Sequence, residues 1–272
     1  MFKLLRQSPI SARIGLAIII INVVAALFAP LIAPYGETEV VGDVWLPMSW
    51  DHLLGTDQLG RDLFTRILFG ARNTIAIAFV TTLLSFLIGI IGGFMAATLK
   101  GWTDISLSRI VDIMMAIPIL IFALTVLSVV GTSILALILV IALLDSTRVY
   151  RLSRAVAMDI EALDFVEAAR LRGEKIWWLM RHEILPNAMP PLVAEFGLRF
   201  CFVFLFIAAL SFLGLGIQPP TADWGSMVRE NAGAITFGIF IPLWPAGAIA
   251  FLTVGVNLIV DWFLHVASGL KD

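Results

Sequence analysis

The stretch that decides how this chain is read is Asp164–Pro191, DFVEAARLRGEKIWWLMRHEILPNAMPP, a charged island in a sequence otherwise suited to lipid. It carries Glu167-Ala168-Ala169, then Gly173, then Leu185-Pro186 twelve and thirteen residues after that glycine. Leu163, Val166, Ala169 and Leu171 give one helical stretch an apolar side, and Ile176, Trp177, Leu179 and Met180 give a second. Gly173 is where the first stretch turns into the second. Two alanines and a glycine let another surface approach the backbone, and flanking Glu and Arg side chains offer charge pairs around the contact. The spacing predicts helix, bend and helix, a knuckle presented to a partner. Residue types alone leave a second reading open, an amphipathic loop lying on a membrane surface.

The composition around the island excludes a soluble domain. The chain has 272 residues, 60% hydrophobic and 14% charged, with a mean hydropathy of +0.99, where a soluble domain carries about 25% charge. It reads as an all-α polytopic membrane protein. The net charge of −2 identifies no partner, since the distribution of charge matters here rather than its sum. The single cysteine, Cys201, excludes an internal disulfide and a Cys-built metal site.

Six apolar runs divide the chain. Ile14 to Ala33 is long enough to span a bilayer, which needs roughly 20 apolar residues, and too long for the core of a cleaved signal. A polar loop with Trp45 and Trp50 follows, then GTDQLGRDLFTRILFGAR at 55–72. There Thr56 or Asp57 can cap a helix, and Asp57–Arg61 and Asp62–Arg66 stand at i,i+4, so an interfacial helix is expected. Thr74 to Leu99 is the second span, with Gly89, Gly92 and Gly93 permitting close helix approach. Ile110 to Leu144 would make one helix of about 50 Å against a core of about 30 Å, so it must turn, at Gly131-Thr132-Ser133, with Pro118 kinking its first arm. Asp145 and Arg148 then reach towards the interface. Leu192 to Ile217, with Glu195 and Arg199 one turn apart, is the fifth span, and Phe237 to His265, interrupted by Pro242 and Pro245, is the sixth. The chain thus divides into 1–72, a first span with its loop and interfacial helix, and 73–272, a core of five spans with the loop of the charged island at about 150–190.

Basic residues orient the six spans. Of 18 Lys and Arg, only Arg61, Arg66, Arg72 and Arg229 fall on one side; the other fourteen, from Lys3, Arg6 and Arg13 to Lys271, share the side of the termini and the island. The positive-inside rule puts that side in the cytoplasm. No catalytic or metal constellation accompanies this layout. His182-Glu183 begins a HExxH, but its second histidine position is Pro186. There is neither a GxSxG elbow nor a GxxxxGK[ST] loop, and His52, His182 and His265 are scattered.

The Glu167-Ala168-Ala169, Gly173, Leu185-Pro186 pattern resembles the cytoplasmic EAA loop of permease subunits of bacterial ABC importers. Gly55-Thr56-Asp57 with Gly60-Arg61-Asp62 and Gly70-Ala71-Arg72, then Leu210-Ser211-Phe212-Leu213-Gly214-Leu215-Gly216, then Pro219-Pro220 with Trp224-Gly225, narrow it to the second permease of the dipeptide, oligopeptide and nickel importers. The resemblance covers nearly the whole chain. It departs at Glu183, where a hydrophobic residue is usual, at Ser146 in place of a tryptophan, at Ile207 in place of an acid, and in the ending VDWFLHVASGLKD. It implies a transport subunit and not an enzyme, in the bacterial inner membrane, paired with a homologous permease. It also implies two ATPase subunits that carry the ATP and Mg, a periplasmic substrate-binding protein, lipid around the spans, and no nucleic acid. Glu167, Ala168, Ala169, Gly173, Leu185 and Pro186 would form the surface seated in an ATPase cleft. Met114, Met115, Pro118, Ser211, Phe212, Gly214 and Gly216 are expected nearer the pathway than the lipid. The rival class is an ion-gradient transporter using Asp112, Asp145 and Glu195.

Overall fold

The structure, a computed structural model, describes residues 9–267. Lys3, Arg6 and Lys271, counted above for orientation, lie outside the described residues, as does the end of the sequence. The elements are α1 (Ile10–Ile32), α2 (Leu63–Leu99), α3 (Gly101–Ala116), α4 (Ile119–Val130), α5 (Ile134–Glu161), α6 (Asp164–Leu171), α7 (Ile176–Leu179), a π-helical turn (Met180–Ile184), α8 (Leu185–Phe212), α9 (Trp224–Asn231), a 3-10 turn (Ala232–Phe237) and α10 (Leu243–Ala267). Among the described residues only two isolated antiparallel bridges, Val40 with Arg61 and Thr56 with Asp62, depart from helix and loop.

The 37-residue α2 is the axis of the fold. At 1.5 Å per residue it is about 55 Å long, well beyond a hydrocarbon core of about 30 Å. Its first turns therefore stand among loops. Asn73 donates to Glu37 Oε1 (3.2 Å) and the Ala222 carbonyl (2.9 Å), and Thr74 donates to Asp223 (2.9 Å). The apolar remainder packs along α5, and the expected glycine face is where they meet. A Cβ at Gly89 would lie 2.6 Å from Val149 Cβ, and one at Gly93 would lie 2.8 Å from the Arg154 nitrogen. α1 approaches α10 in the same manner, since a Cβ at Gly15 would lie 2.7 Å from the Gly255 oxygen.

The long apolar stretch turns where expected, and more sharply at its proline. α3 and α4 meet at 89° across Ile117-Pro118, because Pro118 holds an extended ψ and has no N–H to continue the ladder. Gly131, at φ +98°, ends α4, and Ser133 caps α5 by accepting from the Ala136 amide (3.2 Å). Only Lys100, at φ +54°, separates α2 from α3, so the residues between the second and third apolar runs are already helix from Gly101.

Among the described residues, four helical segments are long and apolar enough to cross a membrane: α1, α2, Ile176–Phe212 and α10. The bent α3–α4 pair makes up to five. Ile176–Phe212 is continuous because the π-helical turn widens just ahead of Pro186, relieving the clash a proline makes with the preceding turn. Leu185-Pro186 therefore opens α8 rather than closing a loop.

Two expectations are corrected. No interfacial helix covers 55–62. Gly55 and Gly60 take φ of +81° and +74°, and a Cβ at Gly60 would collide with the Gly42 oxygen, so this segment is a tight loop folded under residues 40–47. The cap is Asp62, which accepts from the Thr65 amide (2.8 Å), and the helix it starts is α2 itself. Secondly, Asp145 does not reach an interface. It is fully buried, accepting from Ser85 Oγ (2.9 Å) and from Arg199 (3.4 Å), which also meets Glu195 (2.8 Å). Three helices thereby share one charged junction.

Candidate functional site

The knuckle is built on the shared end of α2 and α5. Val166 and Ala169 of α6 are fully buried, in one cluster with Phe94, Ala157, Ile160 and Leu179. Glu161, the last residue of α5, pairs with Lys100 (3.2 Å) and with Arg170, and Arg170 also donates to the Thr98 carbonyl. The end of α2, the end of α5 and α6 are thus fastened by one carboxylate. Beyond this frame the surface is open and apolar: Leu171 is 82% and Trp177 62% exposed, with Leu163, Phe165 and Ile176 beside them. Gly173 sits at φ +85° with nothing within 4 Å of where a Cβ would stand. Its backbone angle favours glycine, and among the described residues the space above it is free.

Of the six residues expected to couple, Glu167, Ala168, Gly173 and Pro186 are exposed, Leu185 is half-buried, and Ala169 is an internal packing residue. Sequence reasoning misses Leu171 and Trp177 as the exposed apolar tip, because their spacing matches a buried helix side. What distinguishes them is that Val166 and Ala169 already fill the contact beneath.

The pathway candidates occupy two places. Met114, Met115 and Pro118 lie at the α3–α4 bend, with Met115 against Val111 and Tyr150. Ser211, Phe212, Gly214 and Gly216 end α8 on the face opposite the knuckle. There Ser211 Oγ accepts from the Ile217 amide (3.1 Å), and Gln218 donates to the carbonyls of Gly214 (3.0 Å) and Gly216 (2.9 Å). A Cβ at Gly216 would collide with Ser211 Oγ, so the LGLG sequence is a helix ending wound too tightly for side chains. Phe212 is half exposed.

On that same opposite face the sequence motifs meet one another. Trp224 donates its indole N–H to the Ile67 carbonyl (2.9 Å) and lies where a Cβ on Gly70 would be 2.7 Å from its ring. Gly225 rests on the Ala208 carbonyl. Asp223 caps α9, accepting from the Ser226 amide (2.8 Å) and Thr74, and its burial pushes its carboxyl above the ordinary range against these hydrogen bonds. The 55–62 loop is tied to α9 by charge. Asp57 accepts from the amides of Leu59 (2.8 Å) and Arg61 (3.0 Å) and from Arg61 Nε (2.7 Å). Arg61 continues to Glu230 (3.1 Å), and buried Arg66 lies 3.3 Å from Asp57 and 3.5 Å from Glu230. Asp62 meets His52 (3.3 Å) and not Arg66. The spacing that suggested a helical pair is that of a carboxylate capping its own turn.

A second open polar feature lies between α3 and α5. Asp112 accepts from Arg151 (2.7 Å), Asp104 holds Arg154 by two hydrogen bonds (2.5 and 2.7 Å), and Ser108 meets the Tyr150 hydroxyl (2.9 Å) around a cavity of about 470 Å³.

Two family models match. One, described as "Binding-protein-dependent transport system inner membrane component", covers residues 88–268; the other, "N-terminal TM domain of oligopeptide transport permease C", covers residues 3–44. The dipeptide transport system permease protein DppC of Alkalihalophilus pseudofirmus is 34% identical over 100% of this chain and 87% of its own length. The di/tripeptide permease DppC of Pseudomonas aeruginosa is 36% identical over 95% and 85%. The structure of a methionine ABC transporter in inward-facing conformations superposes with a TM-score of 0.59 at 20% identity, over 77% of this chain and 97% of that one, which shows a shared fold.

Proposed function

Since the chain belongs to the family of binding-protein-dependent transport system inner membrane components, we propose that it is one of two homologous permeases forming the pathway of an ATP-driven importer of short peptides. The observation that carries this reading is the knuckle: an exposed tip of Glu167, Ala168, Leu171, Gly173 and Trp177 on a frame fastened through Glu161. A firmly held projection transmits displacement, where a mobile loop would absorb it. The ATPase subunits that receive it supply ATP and Mg, and a binding protein delivers solute to the opposite face. In this reading α5 is the sixth crossing, its charges shielded by α2, α3 and α8, and both termini are cytoplasmic. The peptide class follows from the relatives' names.

The ion-gradient reading loses its support at the acids that motivated it. Asp145 and Glu195 share Arg199, and Asp112 pairs with Arg151.

The test is Gly173→Arg beside Gly173→Ala in the reconstituted complex. Arginine fills the space a partner needs and is expected to abolish hydrolysis stimulated by loaded binding protein. Alanine at positive φ costs about 1 kcal/mol of backbone strain and is expected to retain coupling. Coupled hydrolysis at the wild-type rate in Gly173→Arg would overturn the assignment.

A further inference from the structure

The Asp112–Arg151 pair is open, and Asp112 stands in the bent α3–α4 pair that is apolar enough to enter a membrane. Asp112 stands eleven residues into α3, roughly 16 Å along it from the knuckle-side end. Arg151 lies one residue beyond Tyr150, which flanks Gly92, in the apolar part of α2. Both side chains are half exposed, at 50% and 54%. Charged side chains within membrane helices almost always face protein or water rather than hydrocarbon. The buried charged junction of the same chain shows the closed alternative: Asp145 is fully enclosed by Ser85 and Arg199. Asp104 is likewise engaged through both oxygens by Arg154. Asp112 and Arg151, by contrast, share one contact, Oδ1 to Nη2, among the described residues, so a carboxylate oxygen and most of a guanidinium fork remain to be used. They open on the same cavity as the Ser108 and Tyr150 hydroxyls.

We propose that this cavity is a solute subsite on the wall of the transport pathway, in which Asp112 receives an ammonium group and Arg151 a carboxylate of a zwitterionic solute such as a short peptide. The proposal rests on the permease reading above and adds to it where the solute touches this subunit. A passing zwitterion exchanges one intramolecular ion pair for two intermolecular ones, so no charge is left bare at any stage. Because the resident pair re-forms behind it, the solute is held without being trapped. The α3–α4 bend stands one turn from Asp112, which places the subsite where the helix changes direction.

The experiment uses the whole transporter in proteoliposomes, with Cys201→Ala as background. Asp112→Cys is probed with a charged, membrane-impermeant methanethiosulfonate reagent, read on this subunit by mass spectrometry, with and without the dipeptide Ala-Ala under turnover. Labelling that Ala-Ala slows is expected. In parallel, Arg151→Gln should lower kcat/KM for Ala-Ala uptake about tenfold, the worth of one charge-assisted hydrogen bond, with the dipeptide affinity of the separate binding protein unchanged. An unreactive thiol in Asp112→Cys means that the partner permease or lipid covers the face and overturns the proposal, as does wild-type uptake in Arg151→Gln. If the unsubstituted transporter takes up no Ala-Ala with ATP, the peptide reading itself fails; the labelling still decides whether the face is wet, and a dry face overturns the subsite.

Discussion

Removing Glu230 tests whether charge, rather than apolar packing, fastens the 55–62 loop to α9. The Glu230 side chain is 13% exposed and faces Arg61, 4% exposed, and Arg66, which is fully buried. It also accepts from Gln58 Nε2 (2.9 Å), while the neighbouring Asn231 accepts from the Gln58 amide (3.0 Å) and the Trp45 indole (3.3 Å). Breaking a buried ion pair by deleting one partner costs about 3–5 kcal/mol, because the other charge stays buried. Here Asp57 still holds both guanidinium groups, at 2.7 and 3.3 Å, so the lower end applies, about 3 kcal/mol. For a chain of this size that corresponds to a fall of roughly 6–12 °C in Tm. The assay is thermal unfolding of the detergent-purified Glu230→Ala protein. The Arg61→Gln, Glu230→Gln double-mutant cycle should give a coupling of about 1 kcal/mol or more. A Tm within about 2 °C of wild type, or additive single effects, would refute the reasoning and assign the loop's attachment to Trp45 and Leu54 packing instead.

Two further outcomes follow from the same geometry. Gly89→Ala should lower thermal stability by about 1–3 kcal/mol, since its Cβ would press on Val149 and the Ser146 carbonyl, while Gly92→Ala, whose nearest neighbour is the edge of the Tyr150 ring at 3.3 Å, should be tolerated; equal effects would mean that α2 and α5 are less closely packed than they stand. Asp223, whose carboxyl is raised by burial, binds its proton more tightly folded than unfolded, so stability is lost as pH rises from the ordinary carboxylate value through the raised one; Asp223→Asn should remove this slope from the Tm-versus-pH curve, and a wild-type curve parallel to the variant's would contradict it.

What the sequence made legible was whatever rests on hydrophobic length and on residues that break helices. The turn at Gly131–Ser133, the bend at Pro118, the glycine face at Gly89 and Gly93 and the Gly173 bend all follow from local chemistry and stand where expected, while of the six apolar runs four, or five with the bent α3–α4 pair, are long and apolar enough to cross a membrane among the described residues. Helix boundaries differ by up to eleven residues, at Leu63 against Thr74, because polar residues that loop contacts satisfy look no different from polar residues in water.

The larger failure, at Asp57–Arg61, has a physical cause. An acid and a base four apart signal a helix only when the backbone between them is free to be helical, and Gly60 lies between them in the left-handed region. The same acid can satisfy its own turn, as Asp57 does through the Leu59 and Arg61 amides, and the cation then serves a long-range partner, Glu230, that lies 169 positions away. The motif Gly55-Thr56-Asp57…Gly60-Arg61-Asp62 thus encodes a fixed loop, and Glu230 and Asn231 of α9 are its abutment. Neither is interpretable alone, because each supplies what the other leaves unpaired. The knuckle differs in this respect: among the described residues nothing stands within 4 Å of where a Cβ on Gly173 would be, and Leu171 and Trp177 are exposed, so its tip is left open.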